Sequence, residues 1–227
     1  MLLLAIDTAH HTCSIALAED QHILTCETDH TPAQQAETLF SLVDAAFRST
    51  DHHYKDLHAI AVSIGPGSFT GIRIGVAAAR GMALATGLPL IGITTLEATA
   101  WQAHSNSQQE TFPIVSVMDA RRNQLYIQSF DSDIKQLSQP ELIDITLPLH
   151  LPRTTFIISG SGTPLLTPVL QHAKIDFLPF TPATLPDAAT VAAIASQRYP
   201  SCDNANKNVQ PLYIRKPDAK KPGNCVK

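Results

Sequence analysis

The chain has 227 residues and a mass of 24.5 kDa, which suits one large domain or two small ones. Hydrophobic residues make up 44% and charged residues 16%, a balance that excludes a disordered or fibrous chain. A chain of this length buries about 70% or more of its unfolded surface and needs no disulfide or metal staple. Net charge −4 argues against a protein that holds nucleic acid by its overall field.

The charge is unevenly placed. The last thirteen residues carry Arg215, Lys216, Lys220, Lys221 and Lys227 against Asp218, a net +4 on an acidic body. Such a tail reads as a solvated end, with contact to nucleic acid or an acidic partner as the alternative. Cys13, Cys26, Cys202 and Cys225 show no CxxC pairing, so neither a disulfide framework nor a zinc site is expected. The opening Met-Leu-Leu-Leu-Ala-Ile run stops at Asp7 with no basic residue before it. It is too short for a signal peptide or a membrane span, so a cytoplasmic protein with reduced thiols and no membrane contact is expected.

In chain order, Leu2–Ile6 reads as a buried strand, and 12–18 and 22–28 follow as two more after short polar breaks. Three close-spaced strands suggest an antiparallel meander. A helix over 33–48 is expected next, with Thr31 as N-cap, Pro32 at the first position and Gln34 completing a capping box. Its stripe is Ala36, Leu39, Phe40, Val43, Ala46 and Phe47. Residues 57–64 read as a strand running into Gly65-Pro66-Gly67-Ser68-Phe69-Thr70-Gly71, and 72–86 as a helix ended by Gly87. Residues 88–93 read as a strand and 95–103 as a short helix. The polar segment 104–111 marks a boundary, giving lobes 1–104 and 105–210 and a basic tail 211–227. In the second part, 113–118 and 125–130 form a hairpin across Asp119-Ala120-Arg121-Arg122-Asn123-Gln124. Residues 155–159 read as a strand, and 163–173 and 186–198 as helices. Twelve of the sixteen prolines lie beyond residue 139, so long helices there are few. The order of elements indicates a mixed-sheet α/β fold, duplicated within the chain.

Seven of the ten glycines fall between Gly65 and Gly92. Gly65, Gly67 and Gly71 bracket a strand-to-helix turn whose free amides can face an anion, with Ser68 and Thr70 as further donors. The other reading is a tight turn that must avoid Cβ clashes. The turn is not a P-loop, because Ile72-Arg73 stands where Lys-Ser/Thr belongs, and Thr70 replaces the third glycine of a dinucleotide fingerprint. Gly71, Gly75, Ala78, Met82 and Ala85 share one face of the following helix. Glycine inside a helix costs up to about 1 kcal/mol, so a close approach is expected there, by the chain's own first helix or by another subunit. Arg73 and Arg80 share a different face and suit either a partner's carboxylates or solvent. Asp7-Thr8, at a strand's C-terminal end, suits a Mg-bound phosphate or a simple turn. Asp119-Ala120-Arg121-Arg122 suits an anionic group or a charged hairpin turn. Ten histidines show no HExxH or i, i+4 pairing, and no G-x-S-x-G elbow frames Ser68 or Ser161. Neither a metal site nor a nucleophile is expected.

Several segments together resemble the TsaB (YeaZ) family. They are Leu4-Ala5-Ile6-Asp7-Thr8, Cys13-Ser14-Ile15-Ala16-Leu17, the block Gly65–Gly75, Gly92-Ile93-Thr94-Thr95-Leu96, Asp119-Ala120-Arg121-Arg122 with Tyr126, and Pro211-Leu212-Tyr213-Ile214-Arg215. At the start of the first helix, Gln35-Ala36-Glu37 stands where that family often has His-Ser-Glu. The resemblance implies a two-lobed actin-like, sugar-kinase/Hsp70-type ATPase fold with mixed sheets and a reduced second lobe. It also implies a non-catalytic, activating subunit in making tRNA threonylcarbamoyladenosine. That subunit pairs with a TsaD-type transferase and a TsaE-type ATPase and is a homodimer when alone. ATP and metal then belong to the partners, whose metal histidines lie on the first long helix, and tRNA contact is indirect or weak. The interface residues expected on this reading are Glu37, Leu39, Gly71, Arg73, Gly75, Ala78 and Met82. The alternative is an ATP-binding small kinase-like enzyme of the same superfold, with Asp7, Thr8 and Gly160–Gly162 lining the phosphates.

Overall fold

Burial of both faces selects the first strand. In a computed structural model describing residues 1–31, 34–106, 111–145, 151–180, 185–199 and 209–215, β1 (Leu2–Asp7) is buried at every position. Its side chains alternate between two cores. Leu2, Leu4 and Ile6 join one apolar cluster, and Leu3 and Ala5 join another on the opposite face.

β1 is the middle of a five-stranded sheet. β2 (Cys13–Glu19) pairs antiparallel with β1, and β3 (His22–Asp29) antiparallel with β2. On the other side β4 (Leu57–Gly65) and β5 (Leu90–Thr94) add in parallel, giving the order β3-β2-β1-β4-β5. A second five-stranded sheet repeats this plan. β6 (Ile114–Asp119), β7 (Gln124–Phe130) and β8 (Glu141–Asp144) form an antiparallel meander. β9 (Phe156–Ser159) and β10 (Phe177–Phe180) then add in parallel beyond β6, in the order β8-β7-β6-β9-β10. The two lobes are therefore one topology used twice.

Helices cover both faces of each sheet. α1 (Gln35–Arg48) and α2 (Phe69–Thr86) lie on the Leu4–Ile6 face of the first sheet. α3 (Thr95–Asn106) leaves that sheet and packs on β6, with Ala100 and Ala103 against Ile114 and Phe130. α4 (Thr163–His172) covers the other face of the second sheet through Leu166 and Leu170. α5 (Ala188–Arg198) returns to the first sheet. There Ala188, Val191, Ala192 and Ala195 meet Ala5, Ala16, Ala18, Ala59 and Ala61. Small residues on both sides allow the close approach. The lobes thus exchange their covering helices, and Glu97 at the start of α3 pairs with Arg198 at the end of α5.

Several local expectations change. Thr31 does not cap α1: the helix begins at Gln35 after Gln34, with no side-chain cap, and the Thr31 amide donates to the Asp29 carboxylate at 2.8 Å. Pro32 lies outside the described residues. α2 starts three residues early, at Phe69, because Ser68 is a true N-cap that accepts from the Gly71 amide. Gly87 ends it in the left-handed region. β8 and β10 carry no sequence signal that stands out, being four residues each; β10 accommodates Pro179 because it is an edge strand. Among the described residues no helix lies between β8 and β9, where the first lobe has α1.

The start of the basic tail is packed. Val209 joins the first core, and the Leu212 amide donates to the Ile64 carbonyl at 2.8 Å. Arg215 donates from one Nη atom to the Ala120 carbonyl at 2.7 Å and to Gln124 Oε1 at 2.9 Å. Residues 209–215 therefore run as a strap from the first lobe to the second. The lysines that follow lie outside the described residues.

Candidate functional site

Asp7 ends β1 and Thr8 follows it; both are buried, with 3% and 0% of their surface exposed. The chain's own α2 closes over them. The Thr8 hydroxyl donates to the Gly71 carbonyl at 2.7 Å. A Cβ on Gly71 would stand 2.1 Å from the Thr8 carbonyl oxygen, and one on Gly75 2.3 Å from the Thr8 hydroxyl. The glycines demanded by the helix face are thus answered by β1. Likewise the Ser68 amide donates to the Ala9 carbonyl at 2.7 Å, and a Cβ on Gly67 would lie 2.2 Å from that oxygen. Gly65 has φ +101°, which glycine alone adopts freely. Thr70 is exposed on the first turn of α2.

The second lobe repeats the arrangement. Gly160, with φ +114°, lies where a Cβ would be 2.1 Å from the Val117 carbonyl oxygen of β6. The Gly162 amide donates to the same oxygen, and the Asp119 amide donates to the Ser161 hydroxyl at 3.2 Å. In both lobes a glycine turn crosses the end of the central strand and uses its polar groups there.

Burial pushes the Asp7 carboxyl above the usual carboxylate range, against the opposing pull of His10 and of the Ser63 hydroxyl. One of its oxygens accepts from the Ala9 amide at 3.2 Å; the other, and His10 Nε2, are buried with no hydrogen-bond partner among the described residues. No group of three or more His, Cys, Asp or Glu side chains is placed to hold a metal among the described residues. Cys13 is buried, and that burial raises its thiol to about 11.

The expected interface residues divide. Leu39 (1% exposed), Gly71 and Gly75 belong to the interior, because they face the first core and Thr8. Ala78 and Met82 are partly buried against that core. Glu37 and Arg73 are exposed. The outer face of α2 instead carries Thr70, Arg73, Ala77, Arg80 and Leu84, the last 87% exposed. Phe40, assigned by periodicity to the apolar stripe of α1, is 56% exposed. Leu84 falls four residues after Arg80, so the helical period placed it on the arginine face. Phe69 and Tyr213 are further exposed side chains that the pattern of residue types did not single out.

The hairpin tip is strained. Arg121, Arg122 and Asn123 take φ of 63°, 56° and 57°, three left-handed residues in succession. Such backbone costs roughly 1–2 kcal/mol per ordinary residue. It is held by the Asp119 carboxylate, which accepts from the Arg121 amide at 2.7 Å, and by Arg215 at its base.

Two duplicated lobes, each with a meander followed by parallel strands, define an actin-like α/β chain. A family model described as TsaD, tRNA N6-adenosine threonylcarbamoyltransferase, matches residues 30–222. The TsaB protein of Escherichia coli, named for tRNA threonylcarbamoyladenosine biosynthesis, is 34% identical over 140 residues, 59% of this chain and 56% of the relative. An uncharacterized protein of Mycobacterium tuberculosis is 29% identical over 227 residues, covering 99% of this chain and 96% of its own. The structure of YeaZ from Pseudomonas aeruginosa superposes with a TM-score of 0.75 at 20% identity, over 93% of this chain and 99% of that one. The chain belongs to the family of that model, and over part of its length it is similar to the TsaB proteins of that pathway. The match spans little more than half the length of the TsaB relatives. No helix among the described residues is long and apolar enough to cross a membrane.

Proposed function

We propose that the chain is a non-catalytic, activating subunit of the machinery that makes threonylcarbamoyladenosine beside the anticodon of tRNA. It pairs with a TsaD-type transferase, a TsaE-type ATPase joins the pair, and alone it forms a homodimer. ATP and metal belong to the partners, tRNA contact is indirect or weak, and the chain works in the cytoplasm. The observation that carries this reading is the sealed end of β1. Thr8 is bonded to Gly71 and fully buried, so the place where an actin-like ATPase would receive phosphates is filled by α2. Family membership supplies the process. The absence of histidine from α1, read with the resemblance, argues that transferase chemistry lies with the partner. What remains on the outside of α1 and α2 is a surface with Glu37, Phe40, Arg73 and Leu84, suited to carry a partner's helices.

Reconstitution tests it. The transferase, the ATPase, an adenylate-forming enzyme, ATP, threonine, bicarbonate and tRNA are combined with and without this chain, and modified adenosine is counted. Modification is expected to depend on the chain; equal modification without it sinks the proposal. The kinase-like alternative is favoured by the duplicated fold alone. It requires nucleotide binding by the isolated chain, and calorimetry showing none at millimolar ATP removes it.

A further inference from the structure

Arg73, on the outer face of α2, is exposed and yet held. Its guanidinium lies 3.7 Å from the ring centre of Phe69, one turn earlier on the same helix, and 5.6 Å from that of Tyr213 on the strap. Its Nε donates to the Tyr213 hydroxyl at 2.8 Å. The two Nη atoms, which together match both oxygens of a carboxylate, make no hydrogen bond among the described residues. Phe69 and Tyr213 are themselves 59% and 55% exposed, so no core holds these rings where they are.

What fixes Tyr213 is the strap. One residue before it, the Leu212 amide donates to the Ile64 carbonyl near the end of β4, at 2.8 Å. Two residues after it, Arg215 donates to the Ala120 carbonyl at 2.7 Å and to Gln124 Oε1 at 2.9 Å. The Ala120 amide donates to the Gln124 carbonyl at 3.0 Å, so this far anchor is a closed turn of the second lobe. Residues 212–215 are thus tied at both ends, and Tyr213 is kept against Arg73. An arginine loose in solvent loses its rotamer freedom when a partner binds. Arg73 has lost much of it beforehand, through contacts within its own chain. The saving corresponds to about two- to tenfold in affinity. A carboxylate gains most from a fixed guanidinium, because both of its oxygens meet the Nη pair at once.

We propose that the strap preorganises Arg73 to receive a carboxylate of the transferase partner, with Arg215 at its far end as the positioning residue. The inference rests on the functional reading above, which places a partner on the outer face of α2.

Two measurements on the full chain test it. The transferase is titrated in by calorimetry, and the isotope-labelled chain is followed alone by NMR. In the free chain the Arg73 Nε–H signal is expected to be resolved and displaced by the Phe69 ring. In Arg215→Ala it should move toward the position of a solvated arginine. Arg73→Ala is expected to weaken transferase binding about tenfold or more. Arg215→Ala should weaken it about two- to tenfold with Arg73 still present. The double variant Arg73→Ala/Arg215→Ala is expected to bind no more weakly than Arg73→Ala, because Arg215 acts through Arg73. A direct contact by Arg215, its lost charge or a loosened second lobe would instead add to the Arg73 effect. Gln124→Ala removes one acceptor of Arg215 without touching α2, and should show the same coupling to Arg73. Tyr213→Phe keeps the ring and loses the hydroxyl, and should fall between wild type and Arg215→Ala. Thermal melts check that each variant is folded. The positioning role is overturned by an Arg73→Ala or Arg215→Ala chain that binds as wild type does, by additive double variants, or by an Arg73 signal unmoved in Arg215→Ala. Those outcomes leave the functional reading standing. A wild-type chain that does not bind the transferase overturns both.

Discussion

At the end of β1, Asp7 is a carboxyl with little solvent and one oxygen left without a partner among the described residues. Its folded-state pKa is raised, chiefly by burial. The sign follows from linkage: a raised carboxyl favours the folded state most fully below the unfolded value, near pH 4, and that contribution is lost as pH climbs through the folded value. Asp7→Asn removes the titration while keeping an acceptor for the Ala9 amide. The variant is expected to be more stable than wild type at pH 7, on the order of 1 kcal/mol. The difference should shrink as pH falls toward 4. Denaturant unfolding of both proteins across that range checks it, and a gap that widens on acidification would contradict the account. From sequence, Asp7-Thr8 was open to a phosphate or a turn. Nothing in the residue types indicates that Thr8 meets Gly71, because the contact joins positions 63 apart.

At the scale of the element, α2 shows how a helix can satisfy its glycines internally. A face of Gly71, Gly75, Ala78 and Met82 announces a close approach, and periodicity alone leaves the neighbour open. The neighbour at both glycines is Thr8, the residue that follows β1. Gly71→Ala drives a methyl into the Thr8 carbonyl oxygen, a backbone atom with little room to move. A loss of about 1–3 kcal/mol is expected, as for overpacked cores, and is read from the shift of the denaturation midpoint. Gly81, whose Cβ would meet nothing within 4 Å, is the control: Gly81→Ala should be neutral or stabilise by up to about 1 kcal/mol. Equal behaviour of the two variants would refute the seam. Helix ends were less legible than helix faces. A Ser at residue 68 and a Thr at residue 31 look alike as caps, and backbone geometry alone decides that the first caps a helix while the second follows an Asp29 turn.

Over the whole molecule, duplication and exchange decide the surface. Because α3 covers the second sheet and α5 the first, the lobes share their cores, and one face of the first lobe is left to α1 and α2. Ala78 points partly into that core, so Ala78→Leu would disturb the fold as well as any interface. Leu84 is the cleaner probe, since 87% of it is exposed. Leu84→Asp is expected to leave the melting temperature within about 2 °C of wild type, as for surface changes under 0.5 kcal/mol. It should shift the isolated chain from dimer to monomer in analytical ultracentrifugation and weaken its co-elution with the transferase. A variant that dimerises and pairs as wild type does would remove Leu84 from the interface.

The residues by themselves determined the order of strands and helices except for β8 and β10, the glycine turn with its helix, the duplicated α/β plan and the family. Each rests on local rules: apolar runs, helical period, glycine where a Cβ cannot fit. Tertiary structure alone decided which side of each element faces inward and what fills the strand ends. It placed Leu39, Gly71 and Gly75 inside and Leu84 outside, and it turned the start of a basic tail into a strap between lobes. Those outcomes depend on contacts between residues far apart in the chain, and spacing along the sequence carries no record of which distant backbone will meet them.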